Sequence, residues 1–248
     1  MGSAVTALEA LEALARRQPM GVSELARRLS ISKPAAQRAL QALADARWIQ
    51  RSEQQPGRWV LSVKVLEIAS RMGGELGLRE LAAPVMQELV DSTGEATHLS
   101  VLDGHDVVTI DQVDSTQAVR IHWPIGTRSA AHAAASGKAI LSALPEDLLP
   151  AHLPARLEPV TSQTNTNLDD LSAELEQIRL RGHSVQCGEV RDDVASIAAP
   201  IVPRPTSPIA ALSLFMPAHR FPSDGGAELG ALVAKSAARI SAAVALRR

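Results

Sequence analysis

Tyrosine is absent from this sequence, and two phenylalanines and three tryptophans are all that stand in its place among 248 residues. Aromatics make up 2% of a chain that is 46% hydrophobic, so the core has to be aliphatic, dominated by alanine and leucine. Cysteine occurs once, at Cys187, which excludes an intramolecular disulfide and a zinc cluster of thiolates. No apolar run approaches the length of a membrane span, and no leader-like segment opens the chain, so an intracellular protein away from the membrane is expected. Zinc-protease HExxH spacing is missing too. The "SGKA" at 136–139 lacks the glycine spacing before it and the Ser/Thr after its lysine that a phosphate loop needs. No cofactor and no metal are therefore expected. The chain has no internal repeat and no low-complexity segment.

What is present is an uneven charge. Residues 1–62 hold nine Lys/Arg against five Asp/Glu, a net +4, and the remainder holds sixteen against twenty-two, a net −6. A length of 248 fits two domains or one large one. A basic head on an acidic body points to different partners for the two parts, nucleic acid for the head, unless the asymmetry is a chance fluctuation.

Within the head, "VTALEALEALARRQ" carries Val5, Leu8, Leu11 (with Ala15) and Leu14 at helical spacing, and Pro19 and Gly21 stop it. "SELARRLSI" is a short second helix with Ser23 as its expected N-cap. A third helix starts near Lys33 with Ser32 as N-cap, and Pro34 is tolerated in its first turn. Ala36, Ala39, Leu40 and Leu43 fall on one face of it; Arg38 and Gln41 point the other way with Pro34, and Gln37 sits on the flank. "WIQRS", "EQQPG" and "RWVLS" read as strand, turn, strand, carrying Arg51 and Arg58. Three short helices and a basic hairpin in this order match a winged helix-turn-helix, expected over residues 1–62.

A helical linker follows over 63–78. Val63, Leu66, Ala69 and Met72 are helically spaced, and Gly73-Gly74 interrupts as a candidate hinge or a plain helix break. A further helix is expected from about Leu76 to Ser92. The rest, 79–248, alternates. Two strand-like runs meet at Asp103-Gly104, a hairpin signal. "AVRIHWPIG" reads as another strand, "SGKAILSAL" as a helix from Ser136, "PEDLLPAHL" as a short helix, and "LDDLSAELEQIRLRG" as an amphipathic helix closed by Gly182. "HSVQCGEV", "VASIAAPIV" and "PIAALSLFM" read as strands before a last helix over roughly 226–246. Strands mixed with helices give a mixed α/β chain whose second domain is α+β on a mostly antiparallel sheet.

Several blocks of this sequence resemble the IclR family of bacterial transcriptional regulators, over nearly the whole length. "LEALARRQPMGVSELARRLSISKPAAQRALQALADARWIQR" looks like that family's DNA-binding head, and "TGEATHLSVLDGHDVVTIDQV" like the start of its effector domain. "GTRSAAHAAASGKAIL" is similar to its Gly-x-Arg, His-Ala and Gly-Lys-Ala signature, with "IRLRGHSVQCGEVRDDVASIAAPI" and "AALSLFMP" completing the series. The resemblance implies a winged-helix head, a linker helix, and a GAF-like effector-binding and oligomerisation domain. It also implies a cytoplasmic bacterial protein and homodimers, often paired into homotetramers. Its partners would be a palindromic double-stranded DNA operator and a small-molecule effector of a neighbouring catabolic operon.

On that basis Gln37, Arg38 and Gln41 are candidates to read base edges, because glutamine matches adenine and arginine matches guanine with two bonds each. Lys33, Arg51 and Arg58 are expected on phosphates, with Arg27 and Arg28 of the second helix beside them or simply solvated. The head departs from the family at Pro34 and Ala35, where Ser or Thr is usual, which puts more weight on Gln37 and Arg38. In the effector domain the family places its ligand on the sheet. By motif position Ala135 and Ser136 lie in the loop that offers backbone amides to an anion, ahead of a helix start that favours a carboxylate. Ile121 and Ser129 fall at wall positions, Gln186 where an acid is common, Ser196 where Cys is frequent, and Ser213 where serine is usual. Phe215 replaces a small polar residue, and with Trp123 it either stacks on an aromatic ring or fills the core. A carboxylate or aromatic acid derivative is the effector expected.

Other readings stay beside this one. His98, His122 and His132 are expected to pack or hydrogen-bond rather than hold a metal. Cys187 sits in a strand-like run without an adjacent cation, so packing ranks above nucleophilic or redox chemistry. An enzyme acting on a small acid in the second domain is the alternative function; it would need a nucleophile and a base brought together, and the sequence offers no recognisable constellation. A module that only assembles is a third.

Overall fold

The structure is a computed structural model that describes residues 2–69 and 73–247, with side chains of 73–76 outside the description. The chain divides into two units, 1–73 and 74–248.

Alanine-rich helices dominate the first unit. Helix α1 (Ser3–Arg16) is followed by the short strand β1 (Met20–Gly21), α2 (Val22–Arg28), α3 (Lys33–Asp45), β2 (Ile49–Arg51), β3 (Arg58–Leu61) and α4 (Lys64–Ala69). Small side chains at Ala10, Ala13, Ala36 and Ala39 let α1 and α3 close around Leu14, Leu25 and Leu40, all fully buried. The three strands form one antiparallel sheet in the order β1-β3-β2, and the β2–β3 hairpin is the wing. The expected winged helix-turn-helix is therefore present, with β1 as a strand the periodicity did not reveal.

Two local expectations change. Ser23 lies inside α2, whose N-cap is Gly21, because the chain turns helical directly after its pairing with β3. The helically spaced stripe on α1 is buried only in part: Val5 is 50% and Leu8 60% exposed, while Ala10, Ala13 and Leu14 form the buried ridge. Ser32 does cap α3, its Oγ accepting the Ala35 N–H at 3.3 Å. Replacing Ser32 with Ala should weaken that helix start by about 1 kcal/mol. The check is hydrogen exchange, with faster exchange expected at the Ala35 amide.

Chemistry in the second unit is set by a six-stranded sheet. After α5 (Gly73–Thr93) come β4 (Ala96–Asp103), β5 (Asp106–Val113), β6 (Arg128–Ala130), α6 (Ala135–Ala143), a 3-10 turn (Glu146–Leu148), α7 (Leu149–His152), α8 (Leu168–Arg181), β7 (Ser184–Cys187), β8 (Val194–Ile201), β9 (Ala210–Pro217) and α9 (Ala227–Leu246). The strand order is β6-β5-β4-β9-β8-β7, with every neighbouring pair antiparallel. Gly104, at φ +63°, opens the two-residue turn between β4 and β5, as the Asp103-Gly104 pair predicted. Gly182, left-handed at φ +80°, closes α8.

The period of two along each strand sorts side chains onto two faces. On one face Leu99, Ile197, Leu212, Leu214 and Met216 pack against α5 and α9. On the other, Ala198, Ala211 and Val107 pack against α6 and α8. The boundary expected after residue 78 falls inside α5, whose Leu78 is 5% exposed in the first of these clusters. Met72 of the expected linker stripe lies outside the described residues, and Gly73-Gly74 form the first two positions of α5.

Two further expectations are corrected. Residues 114–127 contain neither helix nor strand, although "AVRIHWPIG" alternates as a strand should. Ile121 and Trp123 pack onto Phe215, Val194 and Ala96, while Val119 and Ile125 stay 63% and 52% exposed. The alternation is that of a segment lying across the sheet face, not one pairing at its edge. Helix α9, at 20 residues and mean hydropathy 1.5, does reach the length and composition of a membrane span. It is the core helix over the sheet, with Val233, Ala237 and Ile240 buried and Arg239 paired to Glu88.

Candidate functional site

In the first unit the outward face of α3 is the chemically distinctive surface. Lys33, Pro34, Gln37, Arg38 and Gln41 are all exposed, opposite the buried Ala36, Ala39, Leu40 and Leu43. The structure therefore places the expected base-reading residues on one face. Gln41 is not wholly free, since its Nε2 donates to Asp45 Oδ1 at 2.7 Å one turn on. Arg38 lines a hollow of about 460 Å³ beside α1, with Ser3, Thr6, Ala35 and Ala42. Arg27 and Arg28 are exposed at the end of α2, where a helix C-terminus favours cations.

The two wing arginines differ from one another. Arg51 is exposed, its guanidinium carbon over the Trp59 ring at 3.8 Å from the ring centre, so the aromatic face attracts the cation. Arg58, expected at a phosphate, turns inward: its Nη1 donates to Glu24 Oε2 and to the Pro19 carbonyl, both at 2.9 Å. It ties the wing to α2, because a half-buried guanidinium beside Glu24 finds an ion pair closer than solvent. Arg47, which the sequence reading passed over, is exposed at φ +63° in the turn after α3.

In the second unit the register lays the expected effector residues out in rows. Gln186, Ser196, Phe215 and Ala96 are direct neighbours across β7, β8, β9 and β4. The next row on the same face is Ser184, Ala198, Ser213, His98 and Gln112. Helix α6 covers Ala198 and Ala211, and the segment holding Ile121 and Trp123 covers Phe215. Ile121, Trp123, Gln186, Ser196, Ser213 and Phe215 are thus brought together. Ser129 is not: it lies on the edge strand β6, with β5 and β4 between it and β9. Ala135 and Ser136 form the first turn of α6, where the leading amides have no intrahelical acceptor.

Most polar groups of these rows already have partners. Gln186 Nε2 donates to Ser196 Oγ at 3.0 Å, and Gln186 Oε1 accepts the Glu189 N–H at 3.0 Å. Ser184 Oγ donates to the Ala135 carbonyl at 2.6 Å, tying β7 to α6. Ser213 Oγ donates to the His98 carbonyl at 3.4 Å. The expected aromatic pair is real, Trp123 and Phe215 lying 5.7 Å apart between ring centres. Arg191 lies over the Trp123 ring, its guanidinium carbon 5.8 Å from the ring centre, while paired to Asp193. The covering segment is pinned by Arg220, which donates to the Val119 carbonyl at 2.8 Å and to both oxygens of the buried Glu95 at 2.7 Å.

The histidines take separate roles. His132 Nε2–H donates to the Glu158 carbonyl at 3.0 Å. His122 is exposed. His98 is buried against Phe215, ring centres 4.4 Å apart, and burial pushes its pKa down to about 4. Asp114 opposes that shift and His122 adds to it, so the His98 ring is uncharged at neutral pH. Among the described residues no three His, Cys, Asp or Glu side chains gather as metal ligands. Cys187 is exposed on β7.

The largest surprise is Lys138. It is fully buried, and its Nζ donates to Glu174 and Glu189 carboxylates, each at 2.7 Å. Those partners lie 36 and 51 residues along the chain, so no local motif could announce them. Through Glu189, whose backbone N–H meets Gln186, the buried lysine is joined to the effector face.

Comparison with known proteins places this geometry. Residues 72–242 match the family model "Bacterial transcriptional regulator IclR C-terminal", and residues 4–58 match a MarR family model. The HTH-type transcriptional regulator BhcR of Paracoccus denitrificans is 32% identical over 98% of this chain and 87% of its own length. The acetate operon repressor of Salmonella typhimurium is 30% identical over 90% of this chain and 82% of its own. Among solved structures, the Thermotoga maritima IclR superposes with a TM-score of 0.79 at 28% identity, covering 96% of this chain and 97% of its own. An IclR homologue of Microbacterium hydrocarbonoxydans, solved in complex with 4-hydroxybenzoate, shares the fold at a TM-score of 0.82 and 23% identity, over 99% of both chains.

Proposed function

The chain belongs to the IclR family of bacterial transcriptional regulators, and from that premise we propose how it recognises DNA and what controls it. It is a DNA-binding transcriptional regulator. The observation that carries the reading is the exposed row Pro34, Gln37, Arg38 and Gln41 on α3, one helix after a short α2 and one turn before a wing. Gln37, Arg38 and Gln41 read base edges in the major groove. Lys33, Arg27, Arg28 and Arg51 set register on phosphates, and Arg58 holds the wing in place for Arg51. One head presents few contacts, so a symmetric dimer, or a dimer of dimers, on a palindromic operator completes the affinity. Exposed Val5 and Leu8 on α1, and Val63 and Leu66 at α4, support self-association.

In the second unit we place a small organic or aromatic acid effector on the sheet face holding Phe215 and Trp123. A protein of the same fold was solved with 4-hydroxybenzoate, which makes an aromatic acid a reasonable occupant. Binding there shifts the equilibrium between arrangements of the heads and so alters operator affinity. The site of action is the bacterial cytoplasm. The enzyme reading is disfavoured by the serines of the face: Ser184 is hydrogen-bonded to the Ala135 and Ala198 carbonyls, Ser196 to Gln186 and Ser213 to the His98 carbonyl, and none bonds a histidine side chain.

The test is titration of DNA from around its own coding region at several salt concentrations. Specific binding should weaken steeply with salt, and Arg38→Ala should reduce it by about 10–100-fold with relaxed sequence preference. Arg58→Ala should leave preference among sequences unchanged. Binding that ignores sequence at every salt concentration would falsify the reading; so would turnover of a small acid by purified protein free of DNA-binding activity.

A further inference from the structure

Two buried polar atoms on the effector face are left without a protein partner. His98 is 2% exposed, and its Nδ1 meets no hydrogen-bonding atom. Directly opposite it in register, on β5, the Oε1 of Gln112 is likewise buried and unpartnered. Residues opposite one another across strands share a face of the sheet, so the two side chains stand side by side. The amide nitrogen of Gln112 donates to Asp114 Oδ1 at 3.4 Å, which marks the oxygen as the unsatisfied end. A buried polar atom left unpaired costs about 1–3 kcal/mol, and native proteins carry few of them without a reason. Here two occur together, at the end of a tilted aromatic series: the His98 ring lies 4.4 Å from Phe215, and Phe215 lies 5.7 Å from Trp123.

Resting on the effector-domain reading, we infer that His98 and Gln112 form the polar end of the effector site and select a flat, ring-bearing molecule that carries a hydroxyl group. The ring lies against Phe215 and Trp123. The hydroxyl donates its proton to Gln112 Oε1 and accepts one from His98 Nδ1–H, so one small group satisfies both orphans. A hydroxyl fits better than a carboxylate at this end. The histidine is uncharged at neutral pH, and the Asp114 carboxylate acts on it electrostatically and would repel an anion. The carboxylate oxygen of an acid would also have no proton for Gln112 Oε1. His98 thereby becomes a specificity-determining residue, one the family blocks in the sequence did not single out.

Calorimetric titration of the full-length protein with benzoate, 4-hydroxybenzoate and 4-methoxybenzoate separates the outcomes. The wild type should bind 4-hydroxybenzoate about 10-fold more tightly than benzoate, the scale of one net hydrogen bond, and 4-methoxybenzoate no better than benzoate. His98→Phe keeps a ring and removes the nitrogen; it should bring the ratio of the first two to about one, whatever the absolute affinity. Gln112→Met, at a less buried position, should lose the preference too, and it covers the case in which His98→Phe does not fold. A hydroxyl preference that survives both substitutions overturns the proposal while leaving the effector domain standing. So does its absence in the wild type, which would leave a buried water bridging the pair. No heat and no thermal stabilisation with any of the three at millimolar concentration overturns the effector reading, and the proposal with it.

Discussion

Lys138→Met is expected to lower folding stability by about 3–5 kcal/mol at pH 7, because it removes the one cation between two carboxylates in a dry site. Nζ is fully buried and meets Glu174 and Glu189 at 2.7 Å each, and the side chains of those glutamates are 28% and 13% exposed. Methionine fills a similar volume, so the loss is electrostatic rather than a cavity. It leaves two carboxylates facing one another with no cation between them. Burial already raises the Glu189 pKa above the ordinary carboxylate value, and Lys138 is the largest influence opposing that rise. Without the lysine the pKa moves further up. A carboxyl whose folded pKa is raised contributes stability below its unfolded pKa and loses it as pH climbs through the folded value. The deficit of Lys138→Met relative to wild type should therefore be smaller at pH 5 than at pH 8, as read by urea unfolding at both. Adding Glu189→Gln to the single variant should recover part of the loss. A deficit that is flat with pH, or a double variant no better than the single, would show that packing and not charge sets the role of Lys138.

That lysine also marks where sequence reading stops. "SGKA" could be dismissed as a phosphate loop from its spacing alone, and this was sound. What the lysine does instead depends on Glu174 in α8 and Glu189 after β7, brought to it only by the fold. Short-range signals were legible because their physics is local. Ser32 caps α3, Asp103-Gly104 turns the hairpin, Gly182 ends α8, and the period of two on β9 separates Leu212 and Leu214 from Ser213 and Phe215. Signals that compare alternatives were not. Alternation at 118–126 is shared by an edge strand and by a segment crossing a sheet face, and nothing local distinguishes them. Arg58 looks like any wing cation until Glu24 is found beside it. Val5 and Leu8 fit an inward stripe, yet the alanines of α1 approach α3 more closely and take the core. The candidate effector site was legible as a set of motif positions, and its separation from Ser129, like the unpaired state of His98, needed the register.

Gly137→Ala and Gly77→Ala make the same change in two helices and should move stability in opposite directions. Alanine is the better helix former by about 1 kcal/mol, so on propensity alone both would stabilise. At Gly77, in α5, an added Cβ meets nothing within 4 Å, and a modest gain of up to about 1 kcal/mol is expected. At Gly137, in α6, the added Cβ would lie 2.2 Å from the Ala131 carbonyl oxygen and 2.5 and 2.6 Å from its Cα and carbonyl carbon. These are backbone atoms and cannot rotate aside. Ala131 is fully buried, and its N–H is bonded to the His105 carbonyl at 2.9 Å, so the loop is held from behind. Relief then requires α6 to withdraw from Ala198 and Ala211, carrying its neighbour Lys138 away from Glu174 and Glu189. Overpacking of this kind costs about 3 kcal/mol, which outweighs the propensity gain. At roughly 2–4 °C per kcal/mol for a unit of this size, the thermal midpoint should fall by roughly 4–8 °C in Gly137→Ala and rise slightly in Gly77→Ala. A rise in both would mean that α6 can retreat freely from the loop, and the close approach at Gly137 would then have no part in holding the helix against the sheet.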